Sequence, residues 1–440
     1  MRDNALELVQ KLKSSKDILM SKGIIPKKKD VPKLQKNDIP FEIPLNWVWE
    51  RLSNVSLIQE GPGIRKHQYT ESGIQFLTVT NILDGSLDMN KSKKYISLEE
   101  FKEKYSHFLL NMGDIVSSCS GATWGKTAIF NIDNDIMLNT STLRLRFFND
   151  LAENKYLYYL TKSDFFKAQL KKHQTGQQPN YGFYHYSLIA TPIPPLPEQK
   201  QIVAILDKAF AAIDQAKTNI EKNIENAKEL FQSKLNQIFS QKGEGWEEKT
   251  LKKKKKVCMC KRIMKHQTNP TGDIPFYKIG TFGKTPDAFI TQELFQEFST
   301  KYSYPKKGQI LLSASGTIGR TVVFNGEPSF FQDSNIVWID NNEELVLNDF
   351  LNHFYKVCDW NPSKGTTISR LYNDDLKRIK ISIPSIEKQK ILVPEIKKFE
   401  ERITLLIKKY NQKLNNLEDL KKSILQKAFA GELTQKQLSV

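Results

Sequence analysis

The sequence repeats itself at nearly half its length, and this repeat limits the possible folds more than any other feature. Residues 112–131 read MGDIVSSCSGATWGKTAIFN, and residues 307–325 read KGQILLSASGTIGRTVVFN. Each segment is an apolar run, a Ser/Gly turn, a glycine followed by a basic residue, and a second apolar run, with one extra residue in the first copy. A single repeat of this length predicts two related folding units.

Further matches keep the same order, at offsets between 189 and 199 residues. The matched pairs are 44–49 with 245–247, 73–77 with 272–276, and 195–198 with 384–387. This register places Lys388 opposite Gln199, and it places the lysine run 252–256 opposite the more mixed residues 53–57. The chain is therefore predicted to be a duplication whose second copy departs from the first at these two places.

The first part of each copy has the alternating pattern of half-buried strands. In the segment TLRLRF, Leu143, Leu145 and Phe147 fall on one face, and Arg144 and Arg146 fall on the other. The two arginines could pair with acidic side chains or with phosphate, and the sequence favours neither reading. Glycines and prolines interrupt these short runs throughout, which predicts a globular domain.

The second part of each copy has the pattern of a long amphipathic helix. Apolar residues recur at steps of three and four from Ile202 to Ile238, and again from Ile396 to Ala428. This spacing is typical of a coiled-coil seam, and about 38 residues of helix span roughly 57 Å. Pro394 is expected in the first turn of the second helix or at a kink. Because one helix does not bury a narrow apolar stripe alone, we expect the two helices to pair, antiparallel if a pseudo-twofold axis relates the copies.

These features predict an α+β fold with two tandem globular domains, separated by two long helices that form an antiparallel coiled coil. The expected segments are an N-terminal helix and linker at 1–39, a first domain at 40–197, a central helix at 198–242, a second domain at 243–386 and a C-terminal helix at 387–440. The N-terminal stretch is polar and helical in pattern, which argues against a signal peptide.

The charge balance narrows the choice of partner. The chain has 66 Lys and Arg against 49 Asp and Glu, a formal net charge of +17. A surplus of this size indicates nucleic acid or an acidic membrane face as partner. Because no apolar run approaches the roughly 18 residues of a spanning helix, nucleic acid is favoured. The four cysteines are too scattered for a disulfide framework, which fits the reducing cytoplasm.

The ordered motifs resemble the specificity subunits of Type I restriction-modification systems over nearly the whole chain. The segments that carry the resemblance are 40–44 (PFEIP), 47–49 (WVW), 113–116 (GDIV), 176–180 (GQQPN) and 194–202 (PPLPEQKQI). The resemblance implies two target recognition domains, each reading one half of a bipartite DNA site, with the helices as ruler and docking surface. It also implies two modification subunits, which bind S-adenosylmethionine and methylate adenine, and motor-nuclease restriction subunits that use ATP and magnesium.

The Ser/Gly turn of the first copy looks at first like a nucleotide-binding loop. Residues 120–127 read SGATWGKT, but three residues rather than four separate Gly121 from Gly125, and the second copy has no lysine at this place. A plain hairpin turn and a DNA-facing turn both remain open. In a DNA-facing turn the glycines would let backbone N–H groups approach phosphate, and Lys126 and Arg320 would supply charge.

Amide, hydroxyl and guanidinium groups on loops are the side chains that read base edges or bind phosphate. On this basis the candidate DNA contacts are Arg65, Lys66, His67, Ser120, Thr123, Lys126, Gln174, Gln177, Gln178, Asn180, Lys265, His266, Ser315, Thr317, Arg320, Thr366, Thr367, Ser369 and Arg370. The basic stretch 252–266 is either a further phosphate contact or a solvated face.

Signatures of catalysis are missing from the sequence. It has neither the Asn/Asp-Pro-Pro-aromatic tetrapeptide of an amino-methyltransferase nor a Gly-x-Gly-x-x-Gly after a strand. Cys258, Cys260 and His266 do not complete a four-ligand metal site. We therefore expect a non-enzymatic chain that binds no metal or cofactor itself. The alternative is a duplicated coiled-coil scaffold or interaction protein with non-specific affinity for DNA.

Overall fold

The computed structural model of the chain describes residues 4–27, 31–174, 177–241, 243–250, 256–360 and 370–434. These residues form two compact units. The first unit comprises residues 1–218 and 414–440, and the second comprises residues 219–413. Each unit contains one globular domain and a part of both long helices.

The first globular domain is built from short strands, with helices on either side of them in the sequence. Its strands are β1 (Val48–Arg51), β2 (Ser56–Glu60), β3 (Ile74–Phe76), β4 (Tyr95–Ile96), β5 (Ile115–Ser118), β6 (Thr127–Ile129), β7 (Ile136–Met137), β8 (Thr142–Phe147) and β9 (Ala190–Ile193). The helices of this part are α1 (Ala5–Ser21), α2 (Leu52–Val55), α3 (Leu98–Glu100), α4 (Asn154–Lys162), α5 (Asp164–Lys172), α6 (Phe183–Ser187) and the long α7 (Leu196–Phe239).

The second globular domain follows the same order of elements. Its strands are β10 (Trp246–Thr250), β11 (Val257–Met259), β12 (Ile274–Tyr277), β13 (Phe289–Ile290), β14 (Ile310–Ser313), β15 (Thr321–Val323), β16 (Phe330–Phe331), β17 (Ile336–Ile339) and β18 (Lys380–Pro384). Its helices are α8 (Gln292–Lys301), α9 (Asn348–Tyr355), α10 (Asn373–Arg378) and the long α11 (Ile386–Phe429).

The strand order confirms the internal repeat. The first domain has sheets β2-β8-β5-β6, β4-β3-β7 and β1-β9, and the second has β11-β17-β14-β15, β13-β12-β16 and β10-β18. All pairs are antiparallel except β3 with β7 and β12 with β16, which are parallel in both copies. Two domains with the same order, direction and number of strands are copies of one fold.

The alternating strand of the first domain lies where the sequence predicts it. Leu143, Leu145 and Phe147 of β8 are buried in one apolar cluster. Arg144 on the opposite face is also buried, and its guanidinium donates to Asp114 Oδ2 at 3.2 Å. Burial lowers the pKa of Arg144, and the charge of Asp114 opposes that shift. Arg146 lies 3.8 Å from the same carboxylate, so both arginines pair with an acid.

The two long helices run antiparallel where they meet. In the first unit Asp214 of α7 lies 3.7 Å from Lys421 of α11, and Lys217 pairs with Glu418, so the residue numbers rise in opposite directions. In the second unit the ring of Phe231 on α7 lies 6.1 Å from that of Phe399 on α11. In the first unit Ile213 of α7 and Leu425 of α11 are also buried in one apolar cluster, so the predicted apolar seam is a helix–helix contact in each unit.

The starts of the long helices correct two details of the sequence reading. Helix α11 begins at Ile386, so Pro394 lies inside the helix; of the two places expected for it, the first turn is wrong, and a kink stays a prediction. The buried amide of Gln199 donates to Pro194 O at 2.8 Å, and that of Gln389 donates to Pro384 O at 2.9 Å. The counterpart of Gln199 is therefore Gln389 and not Lys388. The alignment from sequence is wrong by one residue because Pro384 can be aligned with either of the adjacent prolines, Pro194 or Pro195.

Candidate nucleic-acid interface

A short basic turn occurs in both domains with the same internal capping. Lys66, His67 and Gln68 form a 3₁₀ turn in which Gln68 Oε1 accepts from the Arg65 N–H at 2.8 Å. The second copy of Lys-His-Gln, residues 265–267, is capped in the same way, from the Met264 N–H at 2.9 Å. The glutamine is thus used inside the turn, while the lysine and histidine are exposed. The sequence reading selected these basic residues but missed the duplicated tripeptide.

The Ser/Gly segments are turns that connect two antiparallel strands, β5 with β6 and β14 with β15. Gly121 and Gly125 have φ of 65° and 76°, and Gly316 and Gly319 have φ of 66° and 87°. Residues with a side chain rarely adopt this left-handed backbone conformation, which explains why all four positions are glycine. The segment whose residue count excludes a nucleotide-binding loop is therefore a hairpin turn in both copies.

Each hairpin turn is hydrogen-bonded to the stretch that precedes the last strand of its domain, which is the polar segment 177–181 in the first domain and residues 370–371 in the described part of the second. In the first domain Gly121 N–H donates to Pro179 O at 3.0 Å, and Tyr181 N–H donates to Cys119 O at 2.9 Å. In the second domain Leu371 N–H donates to Ala314 O at 2.9 Å. Gln177, Gln178 and Asn180 are exposed beside the first turn. The candidates Thr366, Thr367 and Ser369 lie outside the described residues.

In the first domain a third segment, residues 139–142, connects the hairpin turn to the basic turn. Thr140 Oγ1 donates to Pro62 O at 3.1 Å, at the start of the loop that carries Arg65. Ser141 O accepts from Cys119 N–H at 2.8 Å, beside the hairpin turn. We call the basic turn, the hairpin turn, the polar segment and this connection the loop cluster of the domain.

The described residues of the second domain form an equivalent loop cluster, in which Arg370 stands at the end of the polar segment. Arg262 Nε lies 2.8 Å from Asp333 Oδ2, and the neighbouring Asn335 accepts from Ser315 Oγ at 2.8 Å. Arg370 donates to Ser334 O at 2.9 Å. The structure thus brings the candidate loops of the first copy together, and in the second copy it does so for those that are described, although they are far apart in the sequence.

Some candidate side chains hold the loop clusters in shape. Thr123 Oγ1 lies 2.9 Å from Ser118 Oγ, and Arg320 donates to Phe282 O at 3.0 Å. Gln174 Oε1 accepts from the Tyr181 hydroxyl at 3.1 Å, and Ser315 and Arg370 have the partners given above. The exposed candidates are Arg65, Lys66, His67, Gln174, Gln177, Gln178, Asn180, Lys265, His266 and Thr317, while Ser120 and Lys126 are partly exposed.

The structure adds residues that the sequence reading missed. A cleft of about 610 Å³ in the first domain is lined by residues of the polar segment and the 139–142 connection, together with Tyr184 and His185. Tyr184 is 58% exposed. Trp124 of the hairpin turn packs on Tyr181 at 4.9 Å, and Lys171 Nζ lies 5.7 Å from the Trp124 ring. The only signal in the sequence was the run of aromatic residues that follows Asn180.

The thiols near the loop clusters are not in a reactive state. Burial raises the pKa of Cys119 far above its usual range and raises that of Cys260 to about 12. Both thiols are therefore protonated near neutral pH. Within the described part of the chain, no group of three or more His, Cys, Asp and Glu side chains could hold a metal ion. None of the helices described is long and apolar enough to cross a membrane.

The fold and the site define a duplicated α+β protein, in which each globular domain presents a polar loop cluster and continues into a long helix. The sequence matches the family described as Type I restriction modification DNA specificity domain, over residues 44–226 and again over residues 243–416. The chain belongs to this family.

Relatives with related names match different shares of the chain. A Haemophilus influenzae protein with the provisional name of a type I restriction enzyme specificity subunit is 49% identical over 56% of this chain and 64% of its own length. The EcoAI specificity subunit of Escherichia coli is 27% identical over 52% of this chain and 39% of its own length. The StySPI specificity subunit of Salmonella potsdam is 24% identical over 89% of this chain and 90% of its own length. The chain thus spans less than two thirds of the first two relatives.

Solved structures share the fold. A chain from a study of complex assembly and conformational transition of the type I R-M system has a TM-score of 0.71, with 20% identity over 89% of this chain and all of that one. The HsdS subunit from Thermoanaerobacter tengcongensis has a TM-score of 0.53, with 20% identity over 89% of this chain and 99% of that one.

Proposed function

We propose that this chain is the DNA-recognition subunit of a Type I restriction-modification enzyme, in which each globular domain reads one half of a bipartite site. The observation that carries the proposal is the presence of an equivalent loop cluster in both copies of a duplicated fold. A scaffold has no need of a basic turn and a glycine turn that are each held in a hydrogen-bonded cluster of loops in both copies. The net charge of +17 supplies the long-range attraction to DNA.

The residues of each loop cluster would divide the work between phosphate and bases. Lys66 and Lys265 would neutralise phosphate and fix the position of the domain on the duplex. The amides of Gln177, Gln178 and Asn180 would read base edges in the first half-site, since paired donors and acceptors recognise adenine. In the second domain, Thr317 and the polar segment before Arg370 would have this role.

The long helices would set the distance between half-sites and hold the other subunits. Two modification subunits, which bind S-adenosylmethionine and methylate adenine, would dock on them, and restriction subunits using ATP and magnesium would join for cleavage. This chain itself would hold no cofactor and do no chemistry. The cytoplasm, where such an assembly meets chromosomal DNA, is the compartment that this proposal implies.

Methylation by the assembled enzyme tests the proposal. We expect sequencing of methylated DNA to reveal one two-part sequence with a fixed gap, and we expect no methyl transfer or ATP hydrolysis by the purified chain. The matched control is the modification subunits without this chain, which should leave the DNA unmodified. Methylation at sites without a common two-part sequence would contradict the proposal and favour a scaffold with non-specific DNA affinity.

A further inference from the structure

A buried glutamine joins the first long helix to its globular domain. Gln199 is completely buried near the start of α7. Its Oε1 accepts from Glu153 N–H, which precedes α4, at 2.9 Å, and its amide donates to Pro194 O at the end of β9 at 2.8 Å. One side chain of α7 therefore hydrogen-bonds residues next to β9 and next to α4. We call this arrangement the junction of the long helix with its domain.

The second unit has the same junction. Gln389 is completely buried near the start of α11. Its Oε1 accepts from Leu347 N–H, which precedes α9, at 2.8 Å. Its amide donates to Pro384 O at 2.9 Å and to Leu345 O at 3.0 Å. Since a buried amide is costly unless its groups are hydrogen-bonded, both side chains are held in one geometry.

An ion pair lies further along each junction, with its charges reversed between the copies. In the first unit Lys155 of α4 lies 2.7 Å from Asp207 of α7. In the second unit Asp349 of α9 lies 2.6 Å from Lys397 of α11. Asp207 and Lys397 each stand eight residues after the buried glutamine. The duplication has thus kept the contact while exchanging the charges that make it.

From these contacts we propose that Gln199 and Gln389 are positioning residues, which hold each long helix at a fixed angle to its own globular domain and thereby restrict the enzyme to one gap between half-sites. The inference rests on the function proposed above. Helix length sets a distance only if the joint at the end of the helix does not bend. Helix α7 has 44 residues, about 66 Å, so a change of about 10° at one end moves the other by about 11 Å. That displacement corresponds to about three base pairs at roughly 3.4 Å each.

The test uses Gln199→Met and Gln389→Met, which keep the approximate size of the side chain but remove its hydrogen bonds. Gln412→Met, at an exposed position on α11, is the matched control. Each chain is assembled with its modification subunits and given DNA in which the half-sites are constant and the gap is one or two base pairs longer or shorter. We expect the two junction variants to methylate the neighbouring gaps about tenfold more, relative to the original gap, with the half-site sequences unchanged.

A purely structural glutamine would lower the melting temperature and the total methylation but leave the distribution of gaps unchanged, and that result would overturn the inference. If the methionine variants do not fold, Asp349→Lys alone should widen the distribution, and the pair Asp349→Lys with Lys397→Asp should narrow it again. Absence of that rescue would also count against the inference. An unsubstituted enzyme without a two-part site would overturn the proposed function, and the inference with it.

Discussion

Acidic pH is expected to destabilise the second unit through His353. This residue of α9 is buried, and neither ring nitrogen has a hydrogen-bond partner. Its Nδ1 lies 3.7 Å from Glu400 Oε2, and Asp349, Lys356 and Lys397 complete the charged surroundings. Burial, aided by the charge of Lys356, lowers the pKa of His353 to about 4, and the two carboxylates only partly oppose this.

The direction and size of the effect follow from this shift. The unfolded chain takes up the proton near the usual pKa of about 6.5, whereas the folded chain does so only near 4. The neutral imidazole therefore favours the folded state fully above pH 6.5, and this contribution is lost as the pH falls toward 4. Between pH 8 and pH 5, proton linkage at this one site amounts to about 2 kcal/mol of unfolding free energy.

Urea denaturation at the two pH values, followed by circular dichroism, measures this contribution. The comparison is with His353→Leu, which does not titrate but leaves the other ionisable groups in place. We expect the unsubstituted chain to lose about 2 kcal/mol more than the variant between pH 8 and pH 5. Equal losses in the two proteins would refute the argument, because the histidine would then have the same pKa in both states.

Other substitutions probe packing and charge. Phe429→Ala should cost about 3–5 kcal/mol in thermal unfolding, since the ring is fully buried and packs against Tyr156 at 5.4 Å; a loss below 1 kcal/mol would contradict the packing described. Gly431→Ala should destabilise the first unit, because φ is 81° and the new methyl group would lie 2.3 Å from Pro44 Cγ; an unchanged melting temperature would argue against this turn. Replacing both Lys66 and Lys265 by alanine should reduce the magnitude of the slope d log K/d log [salt] of DNA affinity by about two. An unchanged slope would show that neither lysine contacts phosphate.

The sequence predicts those features that depend on local periodicity. Strand β8 alternates with a period of two, and the long helices follow steps of three and four from Ile202 and Ile396. Both patterns come from the geometry of the element itself, so they are visible without knowledge of the tertiary fold. The duplication is visible for the same reason, because its two copies can be compared directly.

Contacts between segments that are far apart in the chain could not be predicted from the sequence. Arg144 has the pattern of an outward-facing strand residue, yet it is buried, and its guanidinium donates to Asp114 Oδ2 and to Leu109 O. The loop cluster forms through hydrogen bonds from Thr140 to Pro62 and from Cys119 to Ser141, which no spacing rule links. The register of Gln199 with Gln389 became evident only from the carbonyl groups that their amides bind.

Recognition of one half of the DNA site by each domain, as proposed above, can be measured directly. The most direct measurement sequences the methylated sites of the assembled enzyme after Gln177→Ala and Gln178→Ala in the first domain, and after Thr317→Ala in the second. We predict that the first pair relaxes base preference in one half-site only, that Thr317→Ala does so only in the other, and that the gap stays the same. The division of recognition between the two domains would be contradicted if either change relaxed the base preference in both half-sites. It would also be contradicted if the two changes together relaxed neither half-site.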